Sequence, residues 1–298
     1  MFFNNQSILL LLYTFCIFLF GCFIRYLEYS DFFLCYNCQE VDSPETLFDY
    51  IVVGCGSAGS IVARRLAENK KIRVLLLEAG NHGNSLLDIP SFGLLLQQTP
   101  FDWQYTSVPQ KRSCLSLHNN ASIWPMGKMV GGTGMLNNMI YVRGHPEDFN
   151  NWFKEKEGYS FKEYVLPYFK KVEKWTHESD YGSVYISNLS FSTKLSSYVL
   201  KAAKELNFDI TQHTENCEEG FGLPKINSIN GQRWTPANML LKKGTPNIIL
   251  RTKRIVEKIL FHNNFEAYGV KYSYLGDTYI ARASKGVILS AGKYFATF

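Results

Sequence analysis

Hydrophobic and polar positions change their period several times along this chain, and each change marks an element. Asp49–Val53 is a short apolar run, and Ile72–Leu77 is a second, closed by Glu78. Between them Ser60–Glu68 carries helical spacing, so Asp49–Gly80 predicts strand, turn, helix and strand. Asn81–Pro125 is rich in turn residues and aromatics and shows no strong period, which predicts a long excursion with short elements. In Ser160–Trp175 the residues Phe161, Tyr164, Val165, Tyr168, Phe169 and Val172 keep helical spacing with lysines and glutamates between them. Lys194–Leu206 is a second helix candidate. Beyond Gly231–Leu241 come five strand-like runs, Asn247–Arg251, Ile255–Phe261, Gly269–Leu275, Thr278–Ala283 and Gly286–Leu289. Strands alternating with helices place the chain in the α/β class.

The N-terminal pattern is different. Ile8–Ile24 is uncharged and mostly apolar, and Arg25 closes it. The run is at the short limit for a membrane span and long for a signal h-region. It reads as an export segment, either a cleaved signal or an uncleaved anchor, so residues 1–30 stand apart from the fold. Leu19-Phe20-Gly21-Cys22 has the look of a bacterial lipoprotein site, but no basic residue precedes it and the match is read as coincidence. The expected location is secreted, or membrane-anchored and facing outward, with membrane association through residues 8–24.

Composition narrows the classes. The chain has 298 residues, 46% hydrophobic and 19% charged, which excludes a disordered polypeptide. Net charge is +5, and the lysines are scattered rather than clustered. That describes a solvated surface, so no nucleic-acid partner is expected. Seven cysteines are present. Cys35 and Cys38 form a CxxC without a second pair nearby, and Cys55, Cys114 and Cys217 are isolated, so no metal site is expected. Export permits disulfides, whose connectivity stays open. Asn120-Ala121-Ser122 and Asn188-Leu189-Ser190 are glycosylation sequons that fit export if exposed.

The chemistry concentrates in two glycine-rich segments. Gly54, Gly56 and Gly59 form GxGxxG between the first strand and its helix. In that context the first glycine permits a tight turn, the second lets backbone approach a pyrophosphate, and the third lets helix pack on strand. The helix N-terminus then offers unpaired N–H groups to phosphate. Glu78 is placed to accept hydrogen bonds from a ribose diol and would repel a 2′-phosphate, which disfavours NADP. Further on, Gly131-Gly132-Thr133-Gly134 offers several N–H groups with little side-chain hindrance. Thr133 can donate a hydrogen bond, and Asn137 and Asn138 follow on what reads as the start of a helix. Taken alone, that loop reads first as a tight buried turn in which the glycines serve packing.

Together the segments carry a resemblance. G-K-x-V-G-G-T-G-x-x-N-x-M-x-Y-x-R-G-x-x-x-D-F, from Gly127 to Phe149, is similar to the first signature of the glucose–methanol–choline (GMC) oxidoreductases. The wording GGTGMLNNMIYVRG is closest to the insect glucose dehydrogenase-like branch. The resemblance runs from about Phe48 to Gly292 and takes in Asp102-Trp103, Trp124-Pro125, Gly231–Leu241 and Ser290-Ala291-Gly292. It implies FAD rather than NAD, and a Rossmann-like FAD-binding domain with a partial α+β substrate domain. Gly54, Gly56, Ser57 and Gly59 would hold the pyrophosphate, and Glu78 the adenosine ribose. Gly131, Gly132, Thr133 and Asn137 would lie along the pyrophosphate and flavin. Val256 matches the position whose backbone meets the adenine. The implied partners are an alcohol or sugar substrate and an electron acceptor, quinone or oxygen. The implied FAD domain is discontinuous, 48–155 and 225–292, with 156–224 in the substrate domain.

Departures from the family pattern set a second expectation. Family chains are much longer, and their catalytic histidine and its His or Asn partner lie in a C-terminal part without counterpart here. His82, His118, His145, His177, His213 and His262 all fall outside those positions, so no catalytic residue is assigned. Lys293–Phe298 leaves the family pattern, which reads as a truncated or mispredicted product or a splice form. Met126 stands where relatives usually carry Arg, and Ser122 stands near the expected partner of Cys114. The expected function is therefore a form of an FAD-dependent CH–OH oxidoreductase lacking the catalytic region. The alternatives are a non-catalytic FAD-binding or interaction protein and an NAD-dependent or two-nucleotide flavoenzyme.

Overall fold

The structure, a computed structural model, describes residues 13–23, 45–83, 85–175, 183–211, 219–243 and 245–292. The chain divides into two units, Met1–Ser43 and Pro44–Phe298. In the first, residues 13–23 form a helix whose side chains are almost all exposed. Among the described residues no helix is long and apolar enough to cross a membrane. The rest of the apolar run, Cys35, Cys38, His177, His213, Cys217 and the tail Lys293–Phe298 lie outside the described residues.

The second unit is organised on one six-stranded sheet. Its strands are β1 (Glu45–Val53), β2 (Val74–Leu77), β3 (Ile248–Arg251), β4 (Ile255–Phe261), β5 (Ala267–Tyr274) and β6 (Asp277–Leu289). They lie in the order β3-β2-β1-β6-β5-β4. The contacts β3–β2, β2–β1 and β1–β6 are parallel, whereas β6–β5 and β5–β4 are antiparallel. Register aligns Val53 with Leu77, Leu77 with Arg251, and Val53 with Leu289, so the four parallel strands end together. Ligand sites of open α/β sheets lie beyond that carboxyl edge.

Strand alternation makes two cores from one sheet. Ile51, Val53, Leu75 and Leu77 pack on one face with Phe48, Val270, Tyr272 and Ala281. Val52, Val74 and Leu76 pack on the other with Cys55, Ala63, Ala67, Val130 and Ala237. Ala63 and Ala67 come from α1 (Ser57–Leu66) and its C-terminus, so this helix covers the second face.

The expected α/β class and Rossmann-like unit are present, and four local expectations change. α1 starts at Ser57 rather than Ser60, because Gly56 is already extended at the N-cap position. The run Ser160–Trp175 is not one helix. A π-turn (Phe161–Val165) leads into an α-helix (Leu166–Val172), and Glu173–Trp175 is a strand paired with Val184–Ile186. The carboxylate of Glu173 is buried against Arg143, and that pairing outweighs the helical periodicity. The two C-terminal runs form one strand, β6. Ser284 and Lys285 read as a break because they are polar, but Lys285 Nζ stands 2.9 Å from Asp49 Oδ1. The β1–β6 register shifts between Phe48 and Tyr50 to accommodate them. Finally, Asn137 and Asn138 do not start a helix. A single 3-10 turn (Gly132–Met135) precedes them, and Met139 turns the chain at φ 60° into a short strand (Ile140–Tyr141).

Candidate functional site

The β1–α1 turn stands at the carboxyl edge of the sheet. Gly54 has φ +95°, and a Cβ there would fall 2.7 Å from the Ser290 carbonyl. A Cβ on Gly59 would fall 1.9 Å from the Gly54 carbonyl, so this glycine sets how closely α1 approaches the turn. Gly56 differs from both. A Cβ there would meet nothing nearer than Gly132 Cα at 3.9 Å. No side chain caps α1, which leaves its first N–H groups without capping oxygens.

The Gly131–Met135 turn is hung on the same loop. Gly131 N–H donates to the Cys55 carbonyl at 2.8 Å. A Cβ on Gly132, which has φ +57°, would fall 2.9 Å from Gly56 Cα, so this position requires bare backbone. Ser60 Oγ donates to the Gly56 carbonyl at 2.7 Å and closes the first turn of the helix.

Glu78 follows β2 directly and is 6% exposed. Its Oε2 accepts from Cys55 N–H at 2.8 Å and its Oε1 from Gly80 N–H at 2.9 Å. Burial raises its carboxyl above the ordinary glutamate range, with the Gly80 and Cys55 amides pulling the other way. Burial also pushes the Cys55 thiol up to about 12, opposed by its Ser60 contact and reinforced by the Glu78 charge. The thiol is therefore a small core group rather than a nucleophile.

These groups line a cavity of about 280 Å³. Gly54, Gly56, Ser57, Glu78, Gly132, Thr133 and Val256 are all in its wall. Gly59 and Gly131 are not, and act from behind by setting backbone approach. Asn137 lies elsewhere. Its Oδ1 accepts from Met139 N–H at 2.9 Å and from Arg233 Nη1 at 3.0 Å, and the residue lines a second cavity of about 200 Å³ with Tyr141 and Trp234. Ser57 and Gly134 are common to both cavities. Among the described residues no histidine lines either one.

Several residues of the site carried no assignment in the sequence. Trp103, Met126 and Gly127 join the wall: Asp102 holds the Met126 backbone, Trp103 N–H donates to the Met126 carbonyl at 2.9 Å, and Gly127 N–H donates to Thr133 Oγ1 at 3.2 Å. Asp102 Oδ1 accepts from Met126 N–H at 2.8 Å and Gln104 N–H at 3.0 Å, and its Oδ2 from Gln98 N–H at 2.9 Å. Asp102-Trp103 was visible only as part of the resemblance. Arg233, 2% exposed, donates to the carbonyls of Leu87, Gly134 and Asn137 at 3.1, 3.1 and 2.6 Å. It ties the glycine-rich turn to the excursion after Glu78, and no pattern in Gly231-Gln232-Arg233-Trp234 announces it. Burial lowers its pKa.

A second polar cluster stands at the smaller cavity. Arg143 Nε donates to Glu173 Oε1 at 2.6 Å, and Tyr141 and Trp175 donate to the same carboxylate. Burial opposes ionisation of Glu173, but the Arg143 and Tyr141 bonds prevail and hold it below the ordinary range. Burial and the Glu173 charge drive the Tyr141 hydroxyl upward.

Chemically, the main cavity offers bare N–H groups for a phosphate bridge and a fixed carboxylate for a diol. A family model described as GMC oxidoreductase matches residues 48–296. The glucose dehydrogenase [FAD, quinone] of Drosophila melanogaster is 34% identical over 264 residues, which is 84% of this chain and 42% of that protein. Mouse mitochondrial choline dehydrogenase is 32% identical, with 82% of this chain and 43% of that protein covered. Among solved structures, pyridoxine 4-oxidase from Mesorbium loti superposes with a TM-score of 0.75 at 27% identity, over 84% of this chain and 50% of that one. Formate oxidase, at 24% identity and a TM-score of 0.74, shares the fold. The chain spans less than half the length of the curated relatives named here.

Proposed function

The chain belongs to the GMC oxidoreductase family, and on that premise we propose that it binds FAD and serves an oxidoreductase acting on CH–OH donors, sugars or alcohols. The carrying observation is the convergence of the two glycine-rich turns and Glu78 on one cavity. The cradle fits the group. Gly56 and Gly132 expose backbone that a Cβ would cover, the uncapped start of α1 suits a pyrophosphate, and the Glu78 carboxylate suits a ribose diol. Gly54 and Ser57 would stand beside the phosphates with Thr133, and Val256 near the adenine. Gly59 and Gly131 act by shaping the backbone, and Asn137 by fixing the exit of the Gly131–Met135 turn through Met139 and Arg233.

Bound flavin supplies the hydride chemistry. The residues of this chain bind and orient it, and Trp103, Met126 and Gly127 close the cavity beside the Gly132–Gly134 backbone. An alcohol donor also needs a base within hydrogen-bond reach of its hydroxyl. Because no described histidine lines the cavity, the second reading is FAD binding without turnover.

Two further parts of the proposal rest on sequence. The FAD domain comprises 48–155 and 225–292, supported by a sheet drawn from 45–77 and 248–289. Export or anchoring is supported by the apolar run Ile8–Ile24 and by the exposure of Asn120 and Asn188 in their sequons. The electron acceptor is a quinone or oxygen.

The test is the visible spectrum of the purified 298-residue chain after incubation with FAD and desalting. Retention of a protein-bound flavin spectrum is expected. A chain that is folded by circular dichroism and retains none overturns the reading. Turnover with sugar and alcohol panels and a quinone dye then separates enzyme from binding protein.

A further inference from the structure

The smaller cavity, about 200 Å³, shares only Ser57 and Gly134 with the main one. Among the described residues no lysine, arginine, histidine, aspartate or glutamate lines it. Its hydrogen-bonding capacity is set by bonds made behind the wall. The Tyr141 hydroxyl gives its proton to Glu173 Oε1, and Thr235 Oγ1 gives its own to Asn238 Oδ1 at 2.9 Å. Asn227 Nδ2 donates to the Tyr185 carbonyl at 2.9 Å, which leaves its Oδ1 to accept. Asn137 Oδ1 is taken by Met139 and Arg233, which leaves its amide group to donate. The wall is thus uncharged and rich in oxygens that can only accept. Ile61 and Val184 make it apolar elsewhere, together with Trp234, which is 5% exposed and fixed by its Nε1 bond to the Ser183 carbonyl at 3.1 Å.

We propose that this cavity is a second ligand site, which binds a neutral polyol of one six-membered ring and holds it without oxidising it. The volume is the liquid share of roughly six or seven waters, which suits one hydroxylated ring. An anion would face accepting oxygens with no cation in the wall. A cation would give up its hydration with no carboxylate to replace it. A polyol brings a proton to each acceptor and turns its C–H faces to Trp234, Ile61 and Val184. Oxidation of an alcohol needs a base within reach of its hydroxyl. Tyr141 is the one ionisable side chain in the wall among the described residues, and burial and the Glu173 charge drive its pKa upward. Its proton is already committed to Glu173, so it takes none from a ligand. The bound polyol is therefore distinct from the donor that a flavin in the main cavity would oxidise, and the inference stands without the FAD reading.

The experiment is a ligand-observed NMR titration of myo-inositol into the 298-residue chain. Dioxane serves as a neutral ring that only accepts, and gluconate as a charged polyol. Inositol is expected to bind, with dioxane and gluconate each weaker by about tenfold or more. Val184→Phe and Ile61→Phe fill the cavity from two different elements, and each should weaken inositol by about tenfold or more. Melting curves establish which variants are folded. Added FAD should leave inositol bound, and FAD with a quinone dye should leave it unconverted. A folded parent that binds no inositol overturns the proposal. So does equal binding of dioxane or gluconate, or undiminished binding by a folded variant with the cavity filled. Displacement of inositol by FAD assigns the cavity to the cofactor, and conversion of inositol makes it a substrate, and either result overturns the proposal as well. A parent that binds inositol and no FAD sinks the cofactor reading alone.

Discussion

The Cys55 amide donates to Glu78 Oε2 at 2.8 Å, and this bond joins the glycine-rich turn to the acidic end of the neighbouring strand. It orients the carboxylate, and Gly80 N–H holds its other oxygen. Both partners sit at the carboxyl edge because β1 and β2 end in register. One backbone relationship thus positions the glycine-rich turn and the Glu78 carboxylate together at the cavity.

Replacement of Glu78 by Gln tests that arrangement. Burial raises the folded-state carboxyl above its unfolded value, so the ionised form costs stability at neutral pH. That cost is relieved as pH falls through the raised value. Glu78→Gln should therefore lose the parent's relative gain on acidification, while its single carbonyl oxygen can accept from only one of the Cys55 and Gly80 amides, a lost buried hydrogen bond that lowers its melting point at every pH. FAD affinity should fall about tenfold, since a charged acceptor for the ribose diol is lost. Melting curves across pH and flavin titration check both.

Gly56→Ala and Gly59→Ala should fail in different ways. A Cβ on Gly59 meets the Gly54 carbonyl at 1.9 Å, and backbone must move, costing about 1–3 kcal/mol. A Cβ on Gly56 meets only ordinary contact at 3.9 Å, so folding is kept. It covers the backbone that a pyrophosphate would approach, and flavin retention is lost. Denaturant melts and the bound-flavin spectrum separate the two outcomes.

Arg143→Ala should destabilise the protein by about 3 kcal/mol, because it leaves the buried Glu173 carboxylate without its guanidinium. The parent pair also has an acid signature. Glu173 is held below the ordinary range, so its contribution is present above the unfolded glutamate value and is lost as pH falls through the lower folded value. The double variant Arg143→Met with Glu173→Leu should recover most of the loss at pH 7. Urea midpoints at pH 7 and pH 4 decide it.

Arg233→Met should cost about 3 kcal/mol and loosen flavin binding, since the carbonyls of Leu87, Gly134 and Asn137 lose their common donor. Arg233→Lys should recover only part, because one ammonium cannot span the carbonyls that Nε and Nη1 reach. Chemical denaturation and flavin titration are the measurements.

Expression through a secretory pathway should give glycan at Asn120 and Asn188, both exposed. Glycosidase treatment should then raise mobility on a gel, and Asn120→Gln should remove part of the shift. No shift in secreted protein would contradict exposure of the sequons.

Much of the nucleotide unit was legible because its signals are local. Strand alternation, the GxGxxG spacing and Glu78 at a strand end each follow from neighbouring residues, and the structure keeps them together. Ser160–Trp175 shows the limit. Its spacing is helical throughout, yet Glu173 leaves the helix to meet a guanidinium 30 positions away. Asn137 shows the same limit at the site, since its amide is taken by Arg233, which is remote in sequence.

The sequence by itself therefore determined the α/β class, the phosphate-type turn, the acidic residue after β2 and the family. Tertiary structure decided which residues share the cavity. Trp103 enters through the buried hub of Asp102, and Arg254 enters through its bond to the Glu78 backbone and its seat on Tyr274. Buried polar groups must find partners wherever the fold supplies them, and such pairings at long sequence separation leave no periodic trace in the chain.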